Sequence, residues 1–298
     1  MDYIELVQKT VDYIDDNISE KITVDHLAGI AGFSTYHYYK IFNRILGLSV
    51  MEYVTRRKLQ YALFELSNGD RVLDIALKYG FETHAGFTKA FKKCFGYPPN
   101  LYRLHAPISI PQRVNLKKMN EIGGIVMQPK IVEKDAFKIV GYEFKTTMKN
   151  NAHTRDIPVF WDECGLGEKN YENILYDSQN PPKHGEYGLC VNTNVETDEF
   201  SYIFGVEVET FDKATPEMYQ LEVPKATYAI FTSPAVDPKE FVDSIKGTWK
   251  FILEEWFPNS GYEIDDGKLD YEFYDEGCHP WVYKKISMDI YVPIKRKK

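Results

Sequence analysis

A pattern of helix, glycine turn and helix occurs twice at a nearly fixed spacing, and this repeat constrains the first third of the chain more than any other feature. Ala28, Gly32 and Phe33 stand 48 residues before Ala76, Gly80 and Phe81; after the turn, Lys40, Phe42, Gly47 and Tyr53 stand 49 residues before Lys89, Phe91, Gly96 and Tyr102. A glycine at each turn can take the left-handed backbone that a tight helix-to-helix connection requires. Ser34 and Thr83 follow as N-caps. The helices they start carry inner apolar stripes, Tyr38, Ile41, Phe42 and Ile45 in the first copy and Phe87, Ala90, Phe91 and Cys94 in the second. The outward stripes are Tyr36, Tyr39, Lys40 and Asn43, then His84, Ala85, Thr88, Lys89 and Lys92. A duplicated unit with basic outer faces predicts two helix-turn-helix modules, each sending its second helix into a DNA major groove. Val50 to Leu66 reads as one long helix that sets the distance between them, with Arg56, Arg57 and Lys58 as readily a solvated face as a functional basic patch. Ahead of both lies a helix from Tyr3 to Asn17, with Ile4, Val7, Val11 and Ile14 turned inward and an acidic outer face expected to lie away from DNA.

The net charge of -8 would argue against a nucleic-acid partner if it were evenly spread. It is not. Residues 1–33 carry 2 basic and 7 acidic side chains, residues 34–103 carry 11 and 5, and the remainder carries 23 and 32. The local face governs contact with phosphate, and the local face here is basic. At 298 residues and 44% hydrophobic, the chain can build two or three cores. Its N-terminus is acidic, and no apolar run approaches the roughly 18 residues of a membrane helix, so a cytoplasmic protein without a membrane partner is expected. Cys94, Cys164, Cys190 and Cys278 lack metal-ligand spacing and read as reduced thiols, with no metal or cofactor expected. His37 reads as a structural residue and His84 as a phosphate contact.

Residues 107–127 contain two early prolines, a Gly123-Gly124 pair and no steady period, and read as a linker between a domain at 1–106 and another at 128–298. The second domain is β-rich and carries its own repeat. A strand pair over 130–147, a helix bearing Ile157, Phe160, Trp161 and Cys164, and strands at 187–193 and 200–209 are echoed by 218–232, a helix bearing Phe241, Ile245, Trp249, Ile252 and Trp256, and strands at 269–274 and 286–293. Tyr187 and Val206-Glu207-Val208 stand 84 residues before Tyr271 and Ile290-Tyr291-Val292. Two such α+β halves, each too small to close a core, should share one antiparallel sheet with two helices on one face and a ligand cleft between the halves. In LDYEFYD, alternation puts Asp270, Glu272 and Tyr274 on one face and Leu269, Tyr271 and Phe273 on the other.

Residues 5–104, from LAGIAGFSTYHYYKIF to IALKYGFETHAGFTKAFKKCFGYPPNLYR, resemble the DNA-binding domain of the arabinose-regulator (AraC/XylS) family. Residues from about 128 to 298 resemble the gyrase-inhibitor-like (GyrI-like) effector domain through WDECG, EWFPNSGYEI, LDYEFYDE and MDIYVPIK. The resemblance implies a multi-domain chain, an all-α double helix-turn-helix domain followed by an α+β antiparallel-sheet domain of two similar halves. It implies a sequence-specific transcription regulator controlled by a small hydrophobic or cationic effector, with promoter DNA and RNA polymerase as further partners. Ser34, Thr35, Tyr36, Tyr39, Lys40, Arg44, Thr83, His84, Ala85, Thr88, Lys89 and Lys92 fall at its DNA-contacting positions. Ala85 and Gly86 stand where polar readers are common, so the second helix should position more than it specifies. For the effector, Glu272 matches the family's buried acid and Tyr274 its aromatic neighbour, with Tyr187, Trp161, Trp249 and Trp256 as further candidates. Core packing competes with ligand stacking for each tryptophan. Two other functions stay open for the second domain: a small-molecule hydrolase using Glu272 with Tyr274, or a protein-interaction module. No nucleophile triad, metal spacing or phosphate loop supports an enzyme.

Overall fold

The computed structural model describes residues 3–67, 72–105, 111, 113–114, 116, 128–165, 167–194, 196–278 and 283–297. Two compact units divide the chain: Met1–Cys94 with Ile108–Val126, and Phe95–Pro107 with Met127–Lys298. Most of the stretch read as a linker lies outside the described residues.

The first unit is all helix: α1 (Tyr3–Asp16), α2 (Val24–Ala31), α3 (Thr35–Leu46), α4 (Val50–Ser67), α5 (Val72–Lys78) and α6 (His84–Phe95), whose last residue belongs to the second unit. Both glycine turns take the left-handed backbone, with φ of 72° at Gly32 and 85° at Gly80. The backbone N–H of Phe33 donates to Ala28 O and that of Phe81 to Ala76 O, so the two turns close alike. Ser34 accepts from the N–H of His37, and Thr83 from that of Gly86, as capping requires. Val7, Val11 and Ile14 of α1, Leu27 and Ala28 of α2, and Tyr38 and Phe42 of α3 are buried, and the Tyr38 hydroxyl donates to Thr10. In the second copy Ile75, Ala76, Tyr79, Phe87 and Phe91 are buried.

One reading left open by the sequence is narrowed here. The three basic residues of α4 are not one solvated face, because Arg57 is buried and holds Asp15 of α1 through Nε at 2.7 Å and Nη2 at 2.8 Å. Asp15, read as part of an acidic outer face, is thus the inner partner of a two-pronged ion pair. Lys58 Nζ donates to Glu20 O.

The second unit begins with α7 (Pro99–His105) and continues through β1 (Lys130–Lys134), β2 (Phe137–Thr147), α8 (His153–Gly165), α9 (Tyr171–Gln179), β3 (Glu186–Val191), β4 (Glu199–Val208), β5 (Tyr219–Val223), β6 (Ala226–Thr232), α10 (Phe241–Phe251), β7 (Tyr262–Ile264), β8 (Tyr271–Tyr274) and β9 (Asp289–Arg296). The sheet is antiparallel, in the order β1-β6-β9-β8-β3-β4-β2-β5, with β7 also on β9. β3 and β8, the strands related by the 84-residue repeat, pair at its centre.

The strand pair expected at 130–147 is not a hairpin. β1 pairs with β6 and β2 with β4 and β5, so each half lends its first strand to the other. Only Asp135 and Ala136 separate β1 from β2, a gap that can span at most roughly 11 Å. The two ends of the sheet must therefore approach, and the sheet curls. Lys225, in the matching β5–β6 link, pairs with Glu133 and Asp135 across this meeting point. The concave face buries Ile139, Tyr187, Leu189, Ile203, Val223, Tyr228 and Tyr271. The other face buries Val140, Phe200, Phe204 and Val206 against Phe160 and Cys164 of α8 and Leu175 of α9. α9 has no counterpart in the expected elements; it is short and polar, and its bounding residues Asn170 and Asn180 both sit at positive φ.

Candidate DNA-reading face and effector cavity

The recognition helices present the side chains that their stripes assign to solvent. On α3, Tyr36 is 71% exposed and Tyr39 47%, and Lys40 Nζ lies 4.4 Å from the Tyr36 ring centroid, so these two side chains form one cationic-aromatic element. Asn43 and Arg44 are exposed beside them. Ser34 is committed to its cap, and the Thr35 hydroxyl donates to Asp25 at 2.6 Å. On α6, His84, Ala85 and Lys89 are exposed and Thr88 and Lys92 half-buried, with Thr88 Oγ1 3.4 Å from His84 Nε2. His37 packs edge-on against Phe33 and Tyr3.

In the second unit, a cavity of about 660 Å³ lies between α8 and α10 over a floor made by β3 and β8. That volume suits a drug-sized molecule. Alternation along β8 and the residue before it delivers Asp270, Glu272 and Tyr274 to it, and alternation along β3 delivers Glu186, Gly188 and Cys190. Gly188 pairs with Glu272 across the strands. A Cβ at Gly188 would fall 2.1 Å from the Tyr202 hydroxyl, so glycine there makes room for the Tyr202 phenol.

Glu272 is half-buried and held at both oxygens by neutral donors: Trp249 Nε1–H to Oε1 at 2.8 Å and the Tyr274 hydroxyl to Oε2 at 2.8 Å. The carboxylate is oriented by dipoles and not neutralised by either partner. Burial, then the charge of Glu272, pushes the phenols of Tyr274 and Tyr202 well up, so both stay protonated. Trp161 Nε1–H donates to the Tyr202 hydroxyl at 2.8 Å, and its ring lies 4.3 Å from that of Tyr274. Deeper in the floor, Glu186 is 4% exposed and accepts from the Tyr176 hydroxyl at 2.6 Å. Burial pushes its carboxyl up to about 7. His153, on the α8 side, is driven down to about 4 by burial and is neutral.

Of the effector candidates, Glu272, Tyr274, Trp161 and Trp249 converge on this cavity. Tyr187 does not: it faces the concave side of the sheet, where its hydroxyl donates to Glu207 at 2.5 Å. Trp256 does not either. A π-helical turn at Ile252–Trp256 breaks the α-helical phase of the stripe that begins in α10, and Trp256 packs on Phe231, Phe257 and Tyr262. Lining residues that were not among the candidates include Asp270, Glu186, Tyr202 and His105. Asp270 was legible from its alternation with Glu272, and Glu186 from its place two residues before Gly188; nothing local marks His105.

These arrangements define a helix-turn-helix reader in a chain whose other part holds an aromatic, acid-floored cavity. The sequence profile of the integron-associated effector-binding proteins matches residues 130–294, and a helix-turn-helix profile matches 27–105. The chain belongs to the integron-associated effector-binding protein family, with an AraC-type helix-turn-helix domain preceding that family's domain. Both resemblances read from the sequence hold. An uncharacterized transcriptional regulator of Bacillus subtilis, YbfP, is 38% identical over 104 residues, 35% of each chain. The transcriptional activator AarP of Providencia stuartii is 34% identical over 100 residues, 33% of this chain and 74% of that one. The chain thus spans about a third of the B. subtilis relative. A solved structure of a protein bound to tetraphenylphosphonium overlays at a TM-score of 0.46 with 17% identity, covering 57% of this chain and 94% of that one. Among the described residues, no helix is long and apolar enough to cross a membrane.

Proposed function

We propose that this chain is a cytoplasmic one-component transcription regulator, whose α3 and α6 read promoter DNA and whose second domain binds a hydrophobic organic cation that alters its action with RNA polymerase. The observation that carries the ligand class is Glu272, a carboxylate held by an indole and a phenol in an aromatic cavity. A cation there gains charge attraction in a site of low dielectric and contact with ring faces. A binding role is better supported than hydrolysis. The Tyr274 phenol is too weakly acidic to serve as a base near neutrality, and burial pushes the thiols of Cys164 and Cys278 up to about 12.

Glu272→Gln keeps the shape of the side chain and removes its charge. It should weaken lipophilic cations by about 1 to 3 kcal/mol, the scale of a charge-assisted contact, while neutral aromatic ligands change little. Calorimetric titration of both forms against the two classes is the test; equal losses for both classes would overturn the electrostatic reading.

On the DNA side, Tyr36→Ala with Lys40→Ala should reduce discrimination between selected and random duplexes. Lys89→Ala with Lys92→Ala should weaken both about equally, because base contacts carry sequence information and phosphate contacts do not. Competition binding with the two duplexes separates these outcomes, and greater loss of selectivity from the second pair would reverse the roles of the two helices.

A further inference from the structure

The cavity wall includes the end of α7, and α7 follows the recognition helix α6 after only Gly96, Tyr97 and Pro98. His105, the last residue of α7, lies flat on Trp249 with ring centroids 3.7 Å apart and planes 8° from parallel. Its Nε2 is 2.6 Å from Asp270 Oδ2. As a result Trp249, although it borders a cavity of about 660 Å³, is only 2% exposed. An aromatic face beside a carboxylate is the chemistry that binds a planar organic cation. Here a ring of the same chain already fills it.

We infer that His105 is a tethered occupant of the effector cavity, and that a planar aromatic cation must displace it to stack on Trp249 beside Asp270. The inference rests on the proposed cationic ligand and adds how its binding is regulated. Apparent affinity is reduced by the fraction of molecules in which His105 covers the site. Displacement also removes the attachment at one end of α7. Other attachments of α7 and of the link before it include the Tyr97 hydroxyl to Leu253 O at 2.7 Å, the Tyr102 hydroxyl to Glu254 at 2.5 Å, and Arg103 to both oxygens of Asp198 at 2.6 and 3.0 Å. Because α7 is joined to α6 by three residues, an occupied cavity acts on the segment that ends the second recognition helix.

The test is calorimetric titration of the full chain with ethidium, a planar cation, and with tetraphenylphosphonium, a tetrahedral one too crowded to lie flat over Trp249. His105→Ala should bind ethidium about tenfold more tightly and tetraphenylphosphonium within about twofold of the wild type. His105→Phe keeps a ring over Trp249 and should show no gain for ethidium. Unchanged or weaker ethidium binding by His105→Ala overturns the inference while leaving the cationic reading intact, provided that Glu272→Gln still weakens both cations. Binding of ethidium by His105→Ala alone supports it in its strongest form. If neither protein binds either cation, the ligand class itself is wrong and the inference falls with it. Should His105→Ala fail to fold, the wild type decides: stacking on Trp249 should shift the His105 ring protons upfield, and bound ethidium should relieve that shift. Its persistence in the ethidium complex would overturn the displacement.

Discussion

Arg57→Ala is expected to destabilise the first unit by about 3 to 5 kcal/mol, the scale for breaking a buried ion pair from one side. The guanidinium meets both oxygens of Asp15, and the two side chains are only 5% and 1% exposed. Truncating Arg57 leaves Asp15 charged between α1 and α4 without its partner and too buried for water to replace it. All four tryptophans lie beyond residue 160, so their fluorescence reports on the second unit, while far-ultraviolet ellipticity is weighted toward the helical first. Urea titration should move the ellipticity transition to lower denaturant and leave the fluorescence transition in place. Replacing both residues by apolar ones of similar size should recover most of the loss; no loss in the single variant would mean that the pair is open to solvent.

Glu186→Gln is expected to stabilise the second unit by about 3 kcal/mol above neutrality. With the folded carboxyl raised from 4.5 to about 7, both states are protonated in acid and the group has no effect there. As pH rises, the unfolded chain releases its proton first, and folded stability falls until about pH 7. His153 works in the opposite sense. Its ring is lowered from 6.5 to about 4, so its contribution is complete above about pH 6.5 and is lost as pH falls toward 4. The two slopes offset each other between about pH 4.5 and 6.5. In Glu186→Gln the slope from His153 should be unmasked, with stability rising over that interval and then levelling. Urea midpoints followed by tryptophan fluorescence at several pH values provide the check; parallel curves for wild type and variant would show that Glu186 titrates normally.

The first unit was legible because its determinants are local. Gly32 and Gly80 mark the turns, Ser34 and Thr83 mark the caps, and apolar stripes at helical spacing mark the buried faces. The role of Arg57 was not, since its partner Asp15 lies three helices earlier. In the second unit, alternation alone placed Glu272 and Tyr274 together. The same repeat that revealed the two halves sets Tyr187 against Tyr271, and so on the face away from Glu272; that consequence overrides the candidacy of Tyr187. The exchange of β1 and β5 between halves was hidden, because a two-residue link reads as a hairpin unless the partners of both strands are known. Trp256 was misplaced because periodicity assumes an unbroken α-helix, and the π-helical turn before it breaks the phase. His105 gave no signal at all, as its meaning depends on Trp249 and Asp270 far along the chain.

The central claim, that a cation in the second domain controls DNA binding by the first, is tested most directly by fluorescence anisotropy on a duplex selected by the full chain from random sequence. Affinity should fall steeply with salt as counterions are released. A saturating lipophilic cation should shift it by about fivefold or more in the wild type and far less in Glu272→Gln at the same cation concentration. A cation that binds the wild type, as calorimetry would show, yet leaves its DNA affinity unchanged would contradict the account.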